Sequence, residues 1–182
     1  MSWFKRFSVK EQAIHPASEP QEAILRRQAM AIHDGIIERV LLIIEQENLH
    51  LNDNFELRFD ILMLLVSHVL RYLHDLGDQL PLSQTLWELT FESLEESLRE
   101  RGVTDIRMAS RMRKLLQNAT GRRNAYLTAW DNRDKQAIRE AIARNILNGA
   151  TSDDPRIDRL LANLPGFPQA VVALADPPLR TE

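Results

Sequence analysis

The stretch "RFDILMLLVSHVLRYL", from Arg58 to Leu73, indicates how the chain folds. Within it, "ILMLLVSHVL" is ten residues long and carries no charge. At about 100° per residue, apolar side chains cover most of the helix circumference. The helix continues to about residue 76, and six of its polar residues lie on one side of it, together with the apolar Leu64: Asp60, Ser67, His68, Arg71, His74 and Asp75. A helix that is apolar nearly all round is usually buried, so we predict that it forms the centre of the protein.

The remaining chain predicts further helices and no strand. Apolar spacing and the breaks between periodic segments place helices at residues 20–47, 55–76, 82–101, 106–131, 135–147 and 154–163. Gly35 is expected to bend or split the first helix. We therefore predict an all-α, single-domain bundle of about six helices around a buried central helix. Residues 1–19 form a tail and linker, with Ser18 as an N-cap, residues 20–164 the helical domain, and residues 165–182 a proline-rich tail with one short helical turn.

The composition excludes several classes of protein. The 182 residues carry a net charge of −3 and include no cysteine, which excludes disulfides, thiolate metal sites and cysteine nucleophiles. The longest uncharged apolar run is half the length of about 20 residues that a membrane span needs. The N-terminus does not match a secretory signal. These features predict a bacterial cytoplasmic protein.

The first ten residues, "MSWFKRFSVK", combine Trp3, Phe4 and Phe7 with basic neighbours. Aromatic rings beside lysine and arginine suit a membrane interface, so these three residues are candidates for peripheral contact with the inner membrane. The alternative is a tail that frays or packs on the body.

The histidines do not form a pattern typical of a metal or catalytic site. The sequence contains no H-E-x-x-H motif, no Walker A lysine and no G-x-S-x-G motif. His68 and His74 are six residues apart, a poor spacing for two ligands on one helix, and we expect hydrogen-bonded structural roles for them. The sequence thus favours a protein with no catalytic activity, metal, cofactor or small-molecule substrate.

The charges of the third and fourth predicted helices are opposite in sign. Five glutamates fall within Glu88 to Glu100, whereas Arg101 to Arg123 holds seven basic residues and one acid. Four of these basic residues lie within about 80° on one flank of the fourth helix: Arg107, Arg111, Lys114 and Arg122. One interpretation is a solvated face whose ion pairs contribute about 0–1 kcal/mol each. The other is a surface that binds a partner.

Four segments appear in a distinctive order. They are residues 58–73, "SLRERGVTDIRMASRMRKL" at 97–115, "GRRNAYLTA" at 121–129 and "AIREAIARNIL" at 137–147. In order and separation they resemble the ubiquinol–cytochrome c chaperone family. The matching positions are Arg58, Phe59, Asp60, Arg71, Leu98, Arg99, Glu100, Gly102, Val103, Asp105, Gly121, Tyr126, Arg144 and Asn145. Ala109 and Ser110 replace the family's usual Gly-Lys, and Ala119 and Thr120 replace its Phe-Tyr, so the chain is a divergent member whose client can differ.

The resemblance implies a binding role. Mitochondrial members of the family help newly made cytochrome b toward the bc1 complex. The resemblance thus implies a non-catalytic assembly chaperone that binds a membrane-protein client, cytochrome b, at the inner membrane surface. Its candidate partner-binding residues are the four of the basic flank. The alternative is a nucleic-acid- or ribosome-associated module that uses the same flank, which the net negative charge disfavours.

Several matching residues also have structural interpretations. Arg58 and Asp60 are expected in an ion pair that fixes the central helix. Gly102 is expected to end the third helix. Thr104 or Asp105 is expected to cap the fourth, with Asp105 preferred. Arg144 and Asn145 are expected at a helix C-terminus.

Overall fold

A computed structural model describes residues 19–47, 49 and 54–175 of the chain. In these ranges the chain forms seven α-helices and no strand. They are α1 (Glu19–Gln46), α2 (Phe55–Asp75), α3 (Leu80–Glu100), α4 (Asp105–Asp131), α5 (Lys135–Asn145), α6 (Pro155–Ala162) and α7 (Phe167–Val172). The prediction of an all-α bundle is confirmed. Trp3, Phe4, Phe7 and Ser18 lie outside the described residues.

Helix α2 lies at the centre of the bundle, as its apolar circumference predicts. Every residue from Ile61 to Ser67 is buried, and α1, α3, α4 and α7 all pack against α2. Asn54 is the N-cap of this helix, and its side chain accepts a hydrogen bond of 2.9 Å from the backbone N–H of Leu57. This bond satisfies one of the donors that a helix N-terminus leaves unpaired.

Gly35 has a different role from the predicted one, because α1 continues through it from Glu19 to Gln46 without a break. A Cβ atom at this position would lie 2.6 Å from Val171 Cγ2 and 2.8 Å from Leu174 Cδ1. The Arg39 guanidinium lies 5.3 Å from the centre of the Phe167 ring. The glycine therefore allows α7 to approach α1 closely. Helix α7 itself confirms the short helical turn predicted over the body.

The turn between α3 and α4 confirms the helix stop predicted at Gly102. Gly102 has φ +81°. Its N–H donates to the carbonyl of Arg99 at 2.9 Å, and the Val103 N–H donates to the carbonyl of Leu98 at 3.0 Å. These two bonds form a Schellman motif. Helix α4 then begins with Thr104 as N-cap, so the preference for Asp105 as the cap was wrong. Asp105 lies in the first turn, where its negative charge interacts favourably with the positive end of the helix dipole.

Gly102→Ala is expected to lower the free energy of unfolding by about 1 kcal/mol, because alanine must adopt a positive φ. Gly121→Ala is the matched control. Gly121 lies within α4, and a Cβ there would meet no atom within 4 Å. Alanine at that position should raise the free energy of unfolding by up to about 1 kcal/mol. Urea denaturation measures both changes, and effects of the same sign would contradict this account.

Candidate functional site

Three of the five glutamates of α3 form ion pairs with arginines outside α4. The Glu92 carboxylate lies 2.7 Å from the Arg26 guanidinium of α1, a pairing that lowers the pKa of Glu92. Arg99 bonds Glu95 at 2.7 Å and Glu96 at 2.9 Å within α3 itself. These ion pairs run to α1 and along α3, so they do not neutralise the basic residues of α4.

Three of the four candidate partner-binding residues form an exposed surface on α4. Arg107, Arg111 and Lys114 are all exposed, and we call this surface the basic face. Arg111 Nη2 lies 3.0 Å from Glu56 Oε1 on α2, an exposed ion pair. Within the described ranges, neither Arg107 nor Lys114 forms an ion pair. The basic face therefore keeps two cations that no carboxylate of the described residues neutralises.

Arg122, the fourth candidate, turns toward the interior. Its Nε lies 2.6 Å from Asp60 Oδ1, and the two side chains are 21% and 11% exposed. The guanidinium also lies 5.1 Å from the centre of the Phe59 ring. The ion pair expected at Asp60 is thus present, with Arg122 of α4 as its partner, while Arg58 lies at the surface. Arg122 joins α4 to α2 and does not share the basic face.

The polar side of α2 faces α4 along much of its length. Arg111–Glu56, Arg122–Asp60 and Arg71–Asp131, at 3.3 Å, follow one another in the same order along both helices. The two helices therefore run in the same direction.

His68 confirms its predicted structural role. Its Nε2 lies 3.2 Å from the carbonyl oxygen of Leu164, and its ring lies 5.0 Å from that of Trp130. The imidazole therefore links α2 to the loop that precedes α7 as well as to α4. Burial lowers the pKa of His68, so the neutral ring is favoured there.

Several family-matching residues meet where α2, α4 and α5 come together. Tyr126 is fully buried, and the Asn145 side-chain amide donates to its hydroxyl at 3.3 Å. Burial raises the pKa of Tyr126 to about 12. Burial also raises the pKa of Asp60 to about 6, against the opposing charge of Arg122. Asn145 ends α5, and Arg144 lies exposed in its last turn, as expected for a helix C-terminus.

The remaining matching residues lie around α3 and α4. Leu98 is buried, and Val103 packs against the core. Gly121 is exposed on α4.

A groove that the sequence analysis did not identify opens between α1, α2 and α3. Its volume is about 400 Å³. Apolar side chains from all three helices line it: Ile37, Val40, Leu41, Phe55, Phe59, Leu62 and Leu94. The signal available in the sequence is "VLLII" at residues 40–44, because five consecutive apolar residues on one helix cannot all face a single neighbour. Leu41 is accordingly 46% exposed.

Residues 47–165 match the family model described as ubiquinol-cytochrome C chaperone. The chain belongs to this family. The match contains α2 to α6, and with them the basic face and the ion pairs that join α2 to α4 in this chaperone family member. No curated protein and no solved structure matches the chain.

Two further observations concern the described residues of this family member. None of its helices there is both long and apolar enough to cross a membrane. No group of three or more histidine, aspartate or glutamate side chains in those ranges is arranged to hold a metal ion.

Arg122→Ala should lower the free energy of unfolding by about 3 kcal/mol, because it leaves the buried Asp60 without its cation. Arg111→Ala removes an exposed ion pair from the same two helices and should cost at most about 1 kcal/mol. Chemical denaturation at neutral pH measures both changes. Equal losses in the free energy of unfolding would show that burial does not make the Asp60–Arg122 pair more stabilising than the exposed pair.

Asp60 should make the fold less stable as the pH rises. The folded protein holds the Asp60 proton up to about pH 6, whereas an unfolded aspartate loses it near about pH 4. The folded state therefore binds more protons in this window, and the free energy of unfolding falls as the pH rises through it. Asp60→Asn removes this titration. The free energy of unfolding of the native protein, minus that of the variant, should decrease between about pH 4 and pH 7. An increase would mean that Arg122 outweighs burial.

Proposed function

We propose that this protein is a non-catalytic assembly chaperone that helps newly made cytochrome b into the ubiquinol–cytochrome c reductase (bc1) complex. Membership of the ubiquinol-cytochrome C chaperone family supports the pathway. In this proposal the client is a membrane protein, held at the cytoplasmic surface of the inner membrane. Trp3, Phe4 and Phe7 would add peripheral contact with that membrane.

The observation that carries the proposal is the exposed basic face of α4. Arg107 and Lys114 remain exposed and form no ion pair with the described part of the chain, although the protein as a whole is acidic. Charged groups on a protein surface select partners and speed association by electrostatic complementarity. A chaperone requires such a surface, since its task is to hold a client, and the segment that carries the basic face lies within the family match.

The nucleic-acid alternative has less support. Affinity for a phosphate backbone comes from several cations acting together. On this flank Arg122 is paired with Asp60 and Arg111 with Glu56, so two of the four cations are already balanced by carboxylates of α2. The net charge of −3 further opposes binding to a polyanion.

Deletion of the gene from a bacterial host that has a bc1 complex tests the proposal. We expect membranes of the deletion strain to lose b-type haem in reduced-minus-oxidised difference spectra, together with quinol–cytochrome c reductase activity. The native gene should restore both, whereas the Arg111→Glu/Lys114→Glu form should not. Normal spectra and activity in the deletion strain would contradict the proposal.

The matched control is Arg113→Glu/Lys135→Glu. It makes the same two charge reversals at exposed positions outside the basic face, so it should restore spectra and activity. Circular dichroism melts of both purified double variants establish that they fold. If the control fails as the basic-face variant does, the overall charge and not this surface is responsible.

A further inference from the structure

We infer that the groove between α1, α2 and α3 binds an amphipathic helix, with the apolar side of that helix in the groove and its carboxylates against the arginines of the rim. This inference deepens the proposed function and rests on it, since the bound helix would belong to the client. A helix laid into an apolar groove is a recurrent mode of recognition, in which side chains one turn apart act as anchors.

The shape of the groove fits such an occupant. Its volume of about 400 Å³ falls within the range of about 300–1,000 Å³ that is usual for binding clefts. Phe55 and Phe59 lie one turn apart on α2 with their rings 6.5 Å apart and nearly parallel, so they form a continuous apolar floor. Leu41 of α1 stands at one side of this floor and remains 46% exposed. A partner that covers this exposed leucine removes apolar surface from water, which favours binding.

On the opposite side of the groove, α3 presents two short side chains. Ser93 and Ser97 line the groove there and lie one turn apart on the same side of the helix. Serine side chains are short, so a second helix can lie alongside α3 without a clash. At the C-terminal end of α3, the longer side chains of Glu100 and Arg101 border the groove.

The charges of the rim favour a partner with carboxylates. Arg58 and Arg101 both line the groove, against one acid, Glu100. The Arg101 guanidinium lies 5.5 Å from the centre of the Phe55 ring, at the start of α2. The next residue along α2, Glu56, is the one that bonds Arg111. The groove and the basic face therefore both reach the first turn of α2, so a helix that leaves the groove at this end can continue toward further positive charge.

The same charges argue against the chain's own N-terminal segment as the occupant. That segment carries Lys5, Arg6 and Lys10 around its aromatic residues, the same sign as Arg58 and Arg101. Like charges brought together across an interface oppose binding. A second copy of the chain is the other competing occupant, and the test below separates it from a client helix.

The test uses the purified full-length protein and two synthetic peptides of about 18 residues, which share one leucine- and alanine-rich apolar face. One peptide has glutamates beside that face and the other has lysines. Fluorescence anisotropy of labelled peptides gives the dissociation constants. We expect the glutamate peptide to bind at least about tenfold more tightly than the lysine peptide.

Two neighbouring leucines provide a matched pair of variants. Leu41 is 46% exposed and lines the groove, whereas Leu42 is 43% exposed and does not. Leu41→Glu should weaken binding of the glutamate peptide by about tenfold or more, because it places a carboxylate at the side of the apolar floor, where it repels the glutamates of the peptide. Leu42→Glu should change it by less than about twofold. Arg101→Glu should reduce the preference for the glutamate peptide, whereas Arg113→Glu, away from the groove, should not.

Three results would overturn the inference. They are equal effects of Leu41→Glu and Leu42→Glu, equal affinity for the two peptides, and a self-associated native protein that Leu41→Glu converts to a monomer in analytical ultracentrifugation. In the deletion strain, restoration of b-type haem by the Leu41→Glu form but not by the basic-face variant would reject the groove and keep the proposed function. A normal deletion strain, with peptide binding that depends on Leu41, would reject the proposed function and keep the groove as a helix-binding site.

Discussion

Burial of α2 from Phe59 to Ser67 is the constraint that organises the protein. A carboxylate in so enclosed a segment costs several kcal/mol unless a cation accompanies it. Arg122 supplies that cation for Asp60, Asp131 pairs with Arg71, and the Leu164 carbonyl faces His68. The two ion pairs hold α4 against the polar side of α2, and the His68 contact holds the loop before α7 against α2. The way in which α4 packs on the central helix therefore determines which face of α4, with Arg107 and Lys114, stays exposed.

The opposite charges of α3 and α4 are paired with other helices of the bundle. The two helices are consecutive in sequence, but the acidic one finds a cation on α1 and the basic one finds carboxylates on α2. Each helix is thus tied to an earlier part of the chain, and the excess positive charge collects where α2 and α4 begin. The groove and the basic face both reach the first turn of α2, through Phe55 and Glu56 respectively. A partner that extends past this turn can therefore make both apolar and electrostatic contacts.

Periodicity and helix-end signals were sufficient to predict the six longer helices within two residues of their observed ends, because these signals are local. The errors arise where the deciding contact is distant in sequence. Gly35 looked like a break because α7, which fills the space beside it, is remote along the chain. Arg122 shares a flank with Arg111 on a helical wheel, but a wheel does not show where Asp60 lies. The groove requires three helices and cannot be read from any one of them.

The contact between α7 and Gly35 joins the end of the described chain to its first helix. A ribosome releases α1 long before it has made residues 167–172. The contact at Gly35 therefore cannot form until residues 167–172 have been made. A nascent chain stalled within α6 lacks the side chains of α7 that cover this side of α1.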